Sequence, residues 1–137
     1  MKTYLFDTNI CIYYIKGKYN LKDKLISIPK SKRFISEITL AELKYGVKNS
    51  QNPDKNQVVL EDFLTGVQIL PIFNSLDLYA TEKARLRKSG QIIDDFNLLI
   101  GVSSIANDLI LVTNNESHFG RINQIKIENW TISTIEF

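Results

Sequence analysis

The stretch LILVTNN, residues 109–115, is the feature that most limits what this chain can fold into. Its apolar part, 109–112, has no polar alternation, which is typical of a strand buried on both faces inside a parallel sheet. Such a sheet has to be covered by helices on both sides. We predict further strands at residues 3–6, 33–36, 67–72 and 124–130.

Helical patterns fill the segments between these strands. We predict helices at residues 7–17, 20–28, 38–49, 56–66, 75–90 and 94–108. Asp7 or Thr8 can cap the first helix, and Ser75 can cap the fifth. Asp94 or Asp95 can cap the last one, which is apolar around most of its circumference and is therefore expected to be buried. Strands that alternate with helices predict an α/β fold with a mostly parallel sheet covered on both faces.

The composition is that of an ordinary globular chain and excludes several classes of protein. The 137 residues are 44% apolar and 23% charged, which predicts one domain over residues 1–137. No apolar run is as long as a membrane span, and the N-terminus reaches Asp7 before a signal peptide's apolar region could form. The single cysteine, Cys11, rules out an internal disulfide framework and suits a reducing compartment, so we expect a cytoplasmic protein. A net charge of +2 does not indicate a polyanion partner, and the basic clusters at 30–33 and 83–88 are interpreted as solvated faces.

Polar residues follow several of the predicted strands or begin the helices after them. A parallel sheet gathers such positions on one edge, where open α/β sheets bind their ligands. Oxygen donors there, with one histidine and no cysteine cluster, are the pattern of a hard divalent cation such as Mg²⁺ or Mn²⁺. The residues concerned are Asp7, Glu42, Asp94, Asp95, Asn97, Thr113, Asn114, Asn115 and Glu116.

Each of these residues also has a purely structural interpretation. Asp7, Asp94 and Asp95 are good helix caps. Glu42, placed in the first turn of its helix, would favour the helix dipole. The pair at 114–115 is typical of a turn, and His118 is more typical of a loop or hydrogen-bonding residue than of a ligand. Only the coincidence of their positions favours a site.

Longer stretches of the sequence resemble a known family. The segments YLFDTNICIYYIKG, ISEITLAELKYGVKNS, GQIIDDFNLLIGVSSIANDLILVTNNESHFGRI and IKIENW are similar, in order and spacing, to the PIN-domain ribonuclease toxins of the VapC type. The likeness runs from Tyr4 to Trp130. It implies an α/β/α sandwich and an Mg²⁺- or Mn²⁺-dependent endoribonuclease that a cognate antitoxin neutralises. It also implies a homodimer and a toxin–antitoxin complex that binds operator DNA through the antitoxin.

The resemblance also implies which residues form the site. The first family aspartate falls on Asp7 and the family glutamate on Glu42. The third acidic position falls on Asn97, which makes Asp7, Glu42 and Asn97 the implied catalytic and metal-binding set. Secondary candidates are Asp94, beside it on the same helix, and the residues of the variable fourth position and its neighbourhood, Thr113, Asn115, Glu116 and His118.

Asn97 departs from the family pattern, because asparagine keeps an acceptor oxygen but loses the negative charge. We expect weaker metal binding and activity for that reason. Three explanations stay open: an inactivating substitution, a natural asparagine with Asp94 supplying the missing charge, and a natural homologue that binds its antitoxin but cuts poorly. We favour the first.

The mechanism expected from the resemblance is hydrolysis of an RNA phosphodiester. Asp7 would orient and deprotonate the attacking water, together with a metal ion that offsets the developing charge. Phosphate contacts are expected from Lys44, Lys48, Arg85, Arg87 and Arg121.

Two other functions stay open. One is a PIN-like module that joins a repressor complex without turnover, and the other is a phosphatase or related metal-dependent hydrolase. Dimerisation is expected through the apolar faces of the helices at 20–28 and 38–49.

Overall fold

The computed structural model describes residues 2–132. Within them, five strands form one sheet in which every neighbouring pair is parallel, in the order β3-β2-β1-β4-β5. The strands are β1 (Tyr4–Phe6), β2 (Arg33–Ser36), β3 (Gln68–Leu70), β4 (Ile110–Val112) and β5 (Ile127–Glu128). The predicted parallel sheet is therefore confirmed, with the first strand of the chain at its centre.

Seven α-helices are described in the same residues. They are α1 (Thr8–Ile15), α2 (Leu21–Ile26), α3 (Glu37–Lys48), α4 (Pro53–Leu64), α5 (Leu76–Lys88), α6 (Asp95–Ala106) and α7 (Glu116–Phe119), with 3₁₀ turns at Lys30–Lys32 and Phe73–Ser75. None of these helices is long and apolar enough to reach across a lipid bilayer.

The sheet separates two apolar cores. Successive residues of a strand point to opposite faces, so Phe6 and Val112 join the core under α1 to α4, whereas Leu5 and Leu111 join the core under α5 to α7. All four side chains are buried. This arrangement is the three-layer α/β/α sandwich that the resemblance implies, and it confirms that LILV lies in the middle of a covered sheet.

Capping residues set where the long helices begin. The carboxylates of Asp7 and Asp94 accept backbone N–H groups in the first turns of α1 and α6, and the hydroxyl of Ser36 does so for α3. The prediction that Ser75 caps the fifth helix is wrong, because its side chain makes no capping bond and a 3₁₀ turn precedes α5.

The remaining differences from prediction concern element ends. Helix α4 begins at Pro53, three residues before the predicted start, because Asn52 caps it and proline suits the first turn. The strand predicted at 109–112 begins one residue later, as β4, and the strand predicted at 124–130 shortens to β5. The four-residue helix α7 was not predicted.

Candidate active site at the carboxyl edge of the sheet

Asp7 lies at the carboxyl end of the central strand and is tied to both neighbouring elements. Its side chain is buried, with a relative exposure of 4%. Oδ1 accepts the N–H of Ile10 at 2.9 Å, and Oδ2 accepts the hydroxyl of Thr113, which follows β4. Thr113 is itself fully buried and accepts the N–H of Asn115 at 3.0 Å. The Asp7 carboxylate is therefore held in one orientation from two sides.

Electrostatics set the Asp7 carboxyl apart from an ordinary capping residue. Burial raises its pKa, and the negative charge of Glu42 adds to that rise, while the hydrogen bonds from Thr113 and Ile10 act against it. Two carboxylates on different elements are thus close enough to repel each other. A cation between them would relieve that repulsion.

Glu42 is held at the site by α1. The hydroxyl of Thr8, the residue after Asp7, donates to Oε1 of Glu42 at 2.7 Å and lies 3.1 Å from the hydroxyl of buried Thr39. The prediction that Glu42 sits in the first turn is wrong: α3 begins at Glu37, so Glu42 lies in the second turn. The helix-dipole interpretation of Glu42 therefore fails, and its contact with Thr8 brings it beside Asp7.

The head of α6 forms a second connected group. Oδ2 of Asp94 accepts the N–H of Asn97 at 3.2 Å, and Oδ1 accepts the Asn97 side-chain amide at 2.8 Å. Nε2 of His118, on α7, lies 3.4 Å from the same Oδ1. This nitrogen is buried and makes no aligned hydrogen bond to any residue of the described part of the chain. His118 thus stands in helix α7 beside Asp94.

Other sequence candidates point elsewhere. Asp95 accepts bonds from the Tyr79 hydroxyl at 2.6 Å and from Lys83 Nζ at 2.8 Å, on α5. Glu116 accepts from the side-chain amide of Asn129 at 3.2 Å. The side chain of Asn114 reaches α1, where its Nδ2 donates to the Tyr13 hydroxyl at 3.2 Å.

The donors at Asp7 and Glu42 fit a hard divalent cation. Between Lys2 and Ile132, no three His, Cys, Asp or Glu side chains converge on a point that could hold an ion. Mg²⁺ commonly binds proteins through one or two carboxylates, however, and keeps waters or substrate phosphates as its other ligands. Asp7 and Glu42, whose charges repel each other, therefore fit the pair of carboxylates that such an ion needs.

The predicted phosphate-binding cations divide into two groups. Arg85 makes two hydrogen bonds to Glu82, both at 2.9 Å, and Arg121 donates to the backbone oxygen of Ile92 at 3.0 Å. These arginines connect α5, the segment after α7 and the segment before α6. The other three of the five predicted cations are exposed and form no ion pair with another described residue: Lys44, Lys48 and Arg87.

Sequence reasoning missed the residues that position the carboxylates. Thr8 was considered only as a cap, and Thr39 and Tyr13 were not considered for the site at all. Thr8 stands directly after Asp7, so its proximity to Asp7 was visible, but its contact with Glu42 joins residues 34 positions apart. Periodicity carries no information about such a contact.

The fold and this edge define a class of protein: an α/β/α domain with two neighbouring carboxylates, one of them buried, at the edge where its parallel strands end. The family model described as "PIN domain" matches residues 4–124. Because that match covers most of the sequence, the chain belongs to the PIN-domain family, as its resemblance implied.

Relatives within the family narrow the class to the VapC type. "Ribonuclease VapC2" of Rickettsia felis is 38% identical over 130 residues, which cover 93% of this chain and 97% of that protein. The "tRNA(fMet)-specific endonuclease VapC" of Shigella flexneri is 32% identical over 132 residues, 96% of this chain and 100% of that protein.

Solved structures give the same result. VapBC2 from Rickettsia felis, bound to a DNA fragment from its promoter, contains a chain that matches with a TM-score of 0.88 at 37% identity, covering 93% of this chain and 98% of that one. DNA-bound VapBC from Salmonella typhimurium matches with a TM-score of 0.86 at 31% identity, covering 95% and 99%.

Proposed function

We propose that this chain is a divalent-metal-dependent endoribonuclease and the toxin of a toxin–antitoxin pair. The observation that carries the proposal is the pair of carboxylates, Asp7 and Glu42, held together by Thr8 at the carboxyl edge of the sheet. The similarity to proteins named ribonucleases over nearly the whole chain supports RNA as the substrate.

The side chains of the candidate site have separate roles in the proposed hydrolysis. Asp7, Glu42 and Asn97 would hold an Mg²⁺ or Mn²⁺ ion, which when bound lowers the pKa of a water molecule and offsets charge on the phosphate. Asp7 orients the attacking water and accepts its proton, and Thr113 keeps that carboxylate fixed. Lys44, Lys48 and Arg87 are free to contact phosphates of the RNA backbone, a salt-sensitive interaction.

Asn97 lowers the activity of this chain in our proposal. Its amide donates to Asp94, so the pair presents one negative charge where two carboxylates would present two. Asp94 is therefore the residue best placed to supply part of the missing charge. This contact supports the explanation in which Asp94 compensates as well as the one in which Asn97 inactivates the chain.

An antitoxin is the proposed partner. The VapBC structures similar to this chain are toxin–antitoxin complexes, two of them bound to DNA, which supports an operator-binding assembly formed through the antitoxin. A mainly apolar groove of about 420 Å³ runs between α1, α3 and α4 and has Glu42 and Lys16 among its lining residues. An antitoxin segment that occupies this groove would reach the catalytic carboxylate.

The test is cleavage of RNA by the purified chain. We expect cutting of tRNA or single-stranded RNA with Mg²⁺ or Mn²⁺, faster in the Asn97→Asp variant, and none in excess EDTA. Asp7→Asn keeps a capping side chain but removes the charge, so the rate should fall by more than about a hundredfold. Tyr45→Ala, a change at an exposed residue on the face of α3 away from buried Leu43 and Val47, is the matched control. Cleavage that survives EDTA would refute the proposed chemistry.

Asn97 also favours a second candidate, a PIN-like module that binds an antitoxin in a repressor complex without turnover. Co-expression with a candidate antitoxin, sought in the neighbouring open reading frame, distinguishes the two. A stable complex, together with no cleavage by either the chain or its Asn97→Asp variant, would establish the module and exclude the enzyme.

A further inference from the structure

The last turn of α1 and the turn after it carry two tyrosines and a lysine, and one of these tyrosines, Tyr13, bonds to Asn114 beside the candidate active site. Helix α1 ends in a Schellman motif: the N–H of Gly17 bonds to the oxygen of Tyr14 at 3.1 Å, and the N–H of Lys18 bonds to that of Tyr13 at 2.9 Å. Gly17 has φ +72°, which this motif requires. The turn is therefore fixed by its own backbone.

Two residues of this turn adopt an unusual backbone conformation. Tyr19 has φ 58° and Asn20 has φ 55°. Asparagine tolerates the left-handed region, but a tyrosine there is uncommon. Such a conformation persists only where the surroundings maintain it, and it is found disproportionately at functional sites.

The aromatic rings form a small platform, which we define as Tyr13, Lys18 and Tyr19. The rings of Tyr13 and Tyr19 have centroids 5.2 Å apart at an angle of 72°, and Nζ of Lys18 lies 5.9 Å from the centre of the Tyr13 ring. Tyr19 keeps a relative exposure of 48%. Packing alone does not account for a strained tyrosine whose ring is left half in solvent.

The platform is linked to the catalytic carboxylate. The Tyr13 hydroxyl accepts the side-chain amide of Asn114, the residue after Thr113, and Thr113 donates to Asp7. Tyr13 also lies six residues after Asp7, which corresponds to about 9 Å along the chain at the rise of an α-helix. The platform and Asp7 are thus held in a fixed relation by both β4 and α1.

Charge around the platform favours a nucleic acid over a peptide. Four lysines and one aspartate lie between residues 16 and 24. Lys16, Lys18 and Lys22 are exposed and join no ion pair with any other described residue. Aromatic rings flanked by free cations are how proteins hold single-stranded RNA, with bases stacked on rings and phosphates on lysines.

We infer that Tyr13, Lys18 and Tyr19 form a stacking subsite for an unpaired base of the RNA, beside the phosphate that is cut. The inference rests on the proposed function and adds to it the residues that would hold an unpaired base of the RNA. Tyr19 provides the open ring, Tyr13 supports it, and the lysines hold the adjacent phosphates.

The experiment measures stacking and cleavage separately. The probe is a short oligouridylate that carries one 2-aminopurine, whose fluorescence is quenched on stacking, bound to the uncleaving Asp7→Asn protein. Tyr19→Ala in that background should weaken binding by about five- to a hundredfold and abolish the quenching. Tyr19→Phe should retain both. Tyr19→Leu keeps an apolar side chain without a π-face and should behave like Tyr19→Ala, while Tyr45→Ala should have no effect.

The outcomes separate this inference from the proposed function. If the parent chain cuts RNA and Tyr19→Ala binds and quenches the probe as well as Tyr45→Ala does, the subsite is refuted and the function stands. If the probe stacks on Tyr19 but neither the chain nor its Asn97→Asp variant cuts RNA, the subsite stands and the enzyme is refuted. If Tyr19→Ala weakens only the complex with the antitoxin, the platform is a protein contact and the inference is overturned.

Discussion

The Asn97 amide lies 2.8 Å from the carboxylate that caps its own helix. Replacing Asn97 by aspartate turns this hydrogen bond into a repulsion, which should cost about 0.5 kcal/mol of stability without metal. The same change adds a charge that attracts a divalent cation. We therefore expect Asn97→Asp to unfold at a lower temperature in EDTA, to gain more stability from Mn²⁺ than the parent, and to cut RNA faster.

The measurements for this prediction are thermal unfolding with and without Mn²⁺, and single-turnover cleavage. Asn97→Ala is the control, since it removes the amide without adding a charge. No gain in rate from aspartate would show that position 97 does not limit activity and would favour Asp94 as the compensating charge.

Thr113 gives a second prediction at the scale of a single residue. Valine has nearly the same shape but cannot donate to Asp7, so Thr113→Val should weaken Mn²⁺ binding by about ten- to a hundredfold. Thr113→Ser keeps the hydroxyl and should lose little. Calorimetric titration with Mn²⁺ measures the difference, and equal affinities for the two variants would contradict the role given to this hydroxyl.

At this scale the sequence predicts identities better than contacts. Asp7 and Glu42 could be placed at one sheet edge because parallel strands end together. The Thr8–Glu42 and Thr113–Asp7 bonds could not be predicted, because each depends on how far β1, β2 and β4 extend relative to one another. The bonding partners of Asp95 could not be predicted either, because they are Lys83 and Tyr79 of another helix, α5.

Among the elements, α5 is anchored through buried Glu82, which pairs with the partly exposed Arg85. Glu82 bonds to Arg85 and accepts the N–H of Asn123 at 3.1 Å. The hydrogen bonds from Arg85 lower the pKa of Glu82, against the effect of its burial. Because the pKa is lowered on folding, this stabilisation is complete above the ordinary pKa of a glutamate and is lost as the pH falls through the lower folded value.

Glu82→Gln should therefore lower the free energy of unfolding by about 2 kcal/mol at neutral pH. The gap between the variant and the parent should narrow as the pH falls below about 4, near the ordinary pKa of a glutamate. Urea unfolding at a series of pH values measures both effects. Glu61→Gln, at an exposed position on α4, is the control. A gap that is constant across pH would mean that the charge of Glu82 does not matter.

Elements with a strong apolar pattern were predictable, and elements or ends without one were not. Helix α6 and strand β4 carry strong apolar signals, and both are found near their predicted places. The start of α4 was missed because its apolar repeat begins later than its actual cap, Asn52, which precedes a proline. Helix α7 is four residues long, too short for any periodic pattern, and its position depends on the packing of Phe119 in the core.

Among the described residues, the most exposed large apolar side chain is that of Phe73, just after β3. Phe73 has a relative exposure of 82%, and Ile69 and Leu76 near it are 38% and 41% exposed. Homodimerisation was predicted through α2 and α3, where Ile26 and Tyr45 are exposed. We expect the dimer contact to lie instead at Ile69, Phe73 and Leu76, because these three exposed apolar residues fall within eight positions of the chain.

Phe73→Asp should therefore shift the protein from dimer to monomer, whereas Ile26→Asp should not. Light scattering coupled to size exclusion, over a range of concentrations, measures the mass of each variant. A dimer that survives Phe73→Asp and is lost in Ile26→Asp would restore the originally predicted interface.

Asp7 has two roles, and this affects how an inactive variant of the protein should be designed. The carboxylate assigned to the chemistry is also the one that starts α1 and, through Thr113, ties that helix to β4. A variant such as Asp7→Ala would remove fold and function together, and its inactivity would say nothing about mechanism. Glu42 and Asn97 cap no helix, so substitutions there should disturb the fold less, and comparing their unfolding temperatures with the parent's separates lost chemistry from lost stability.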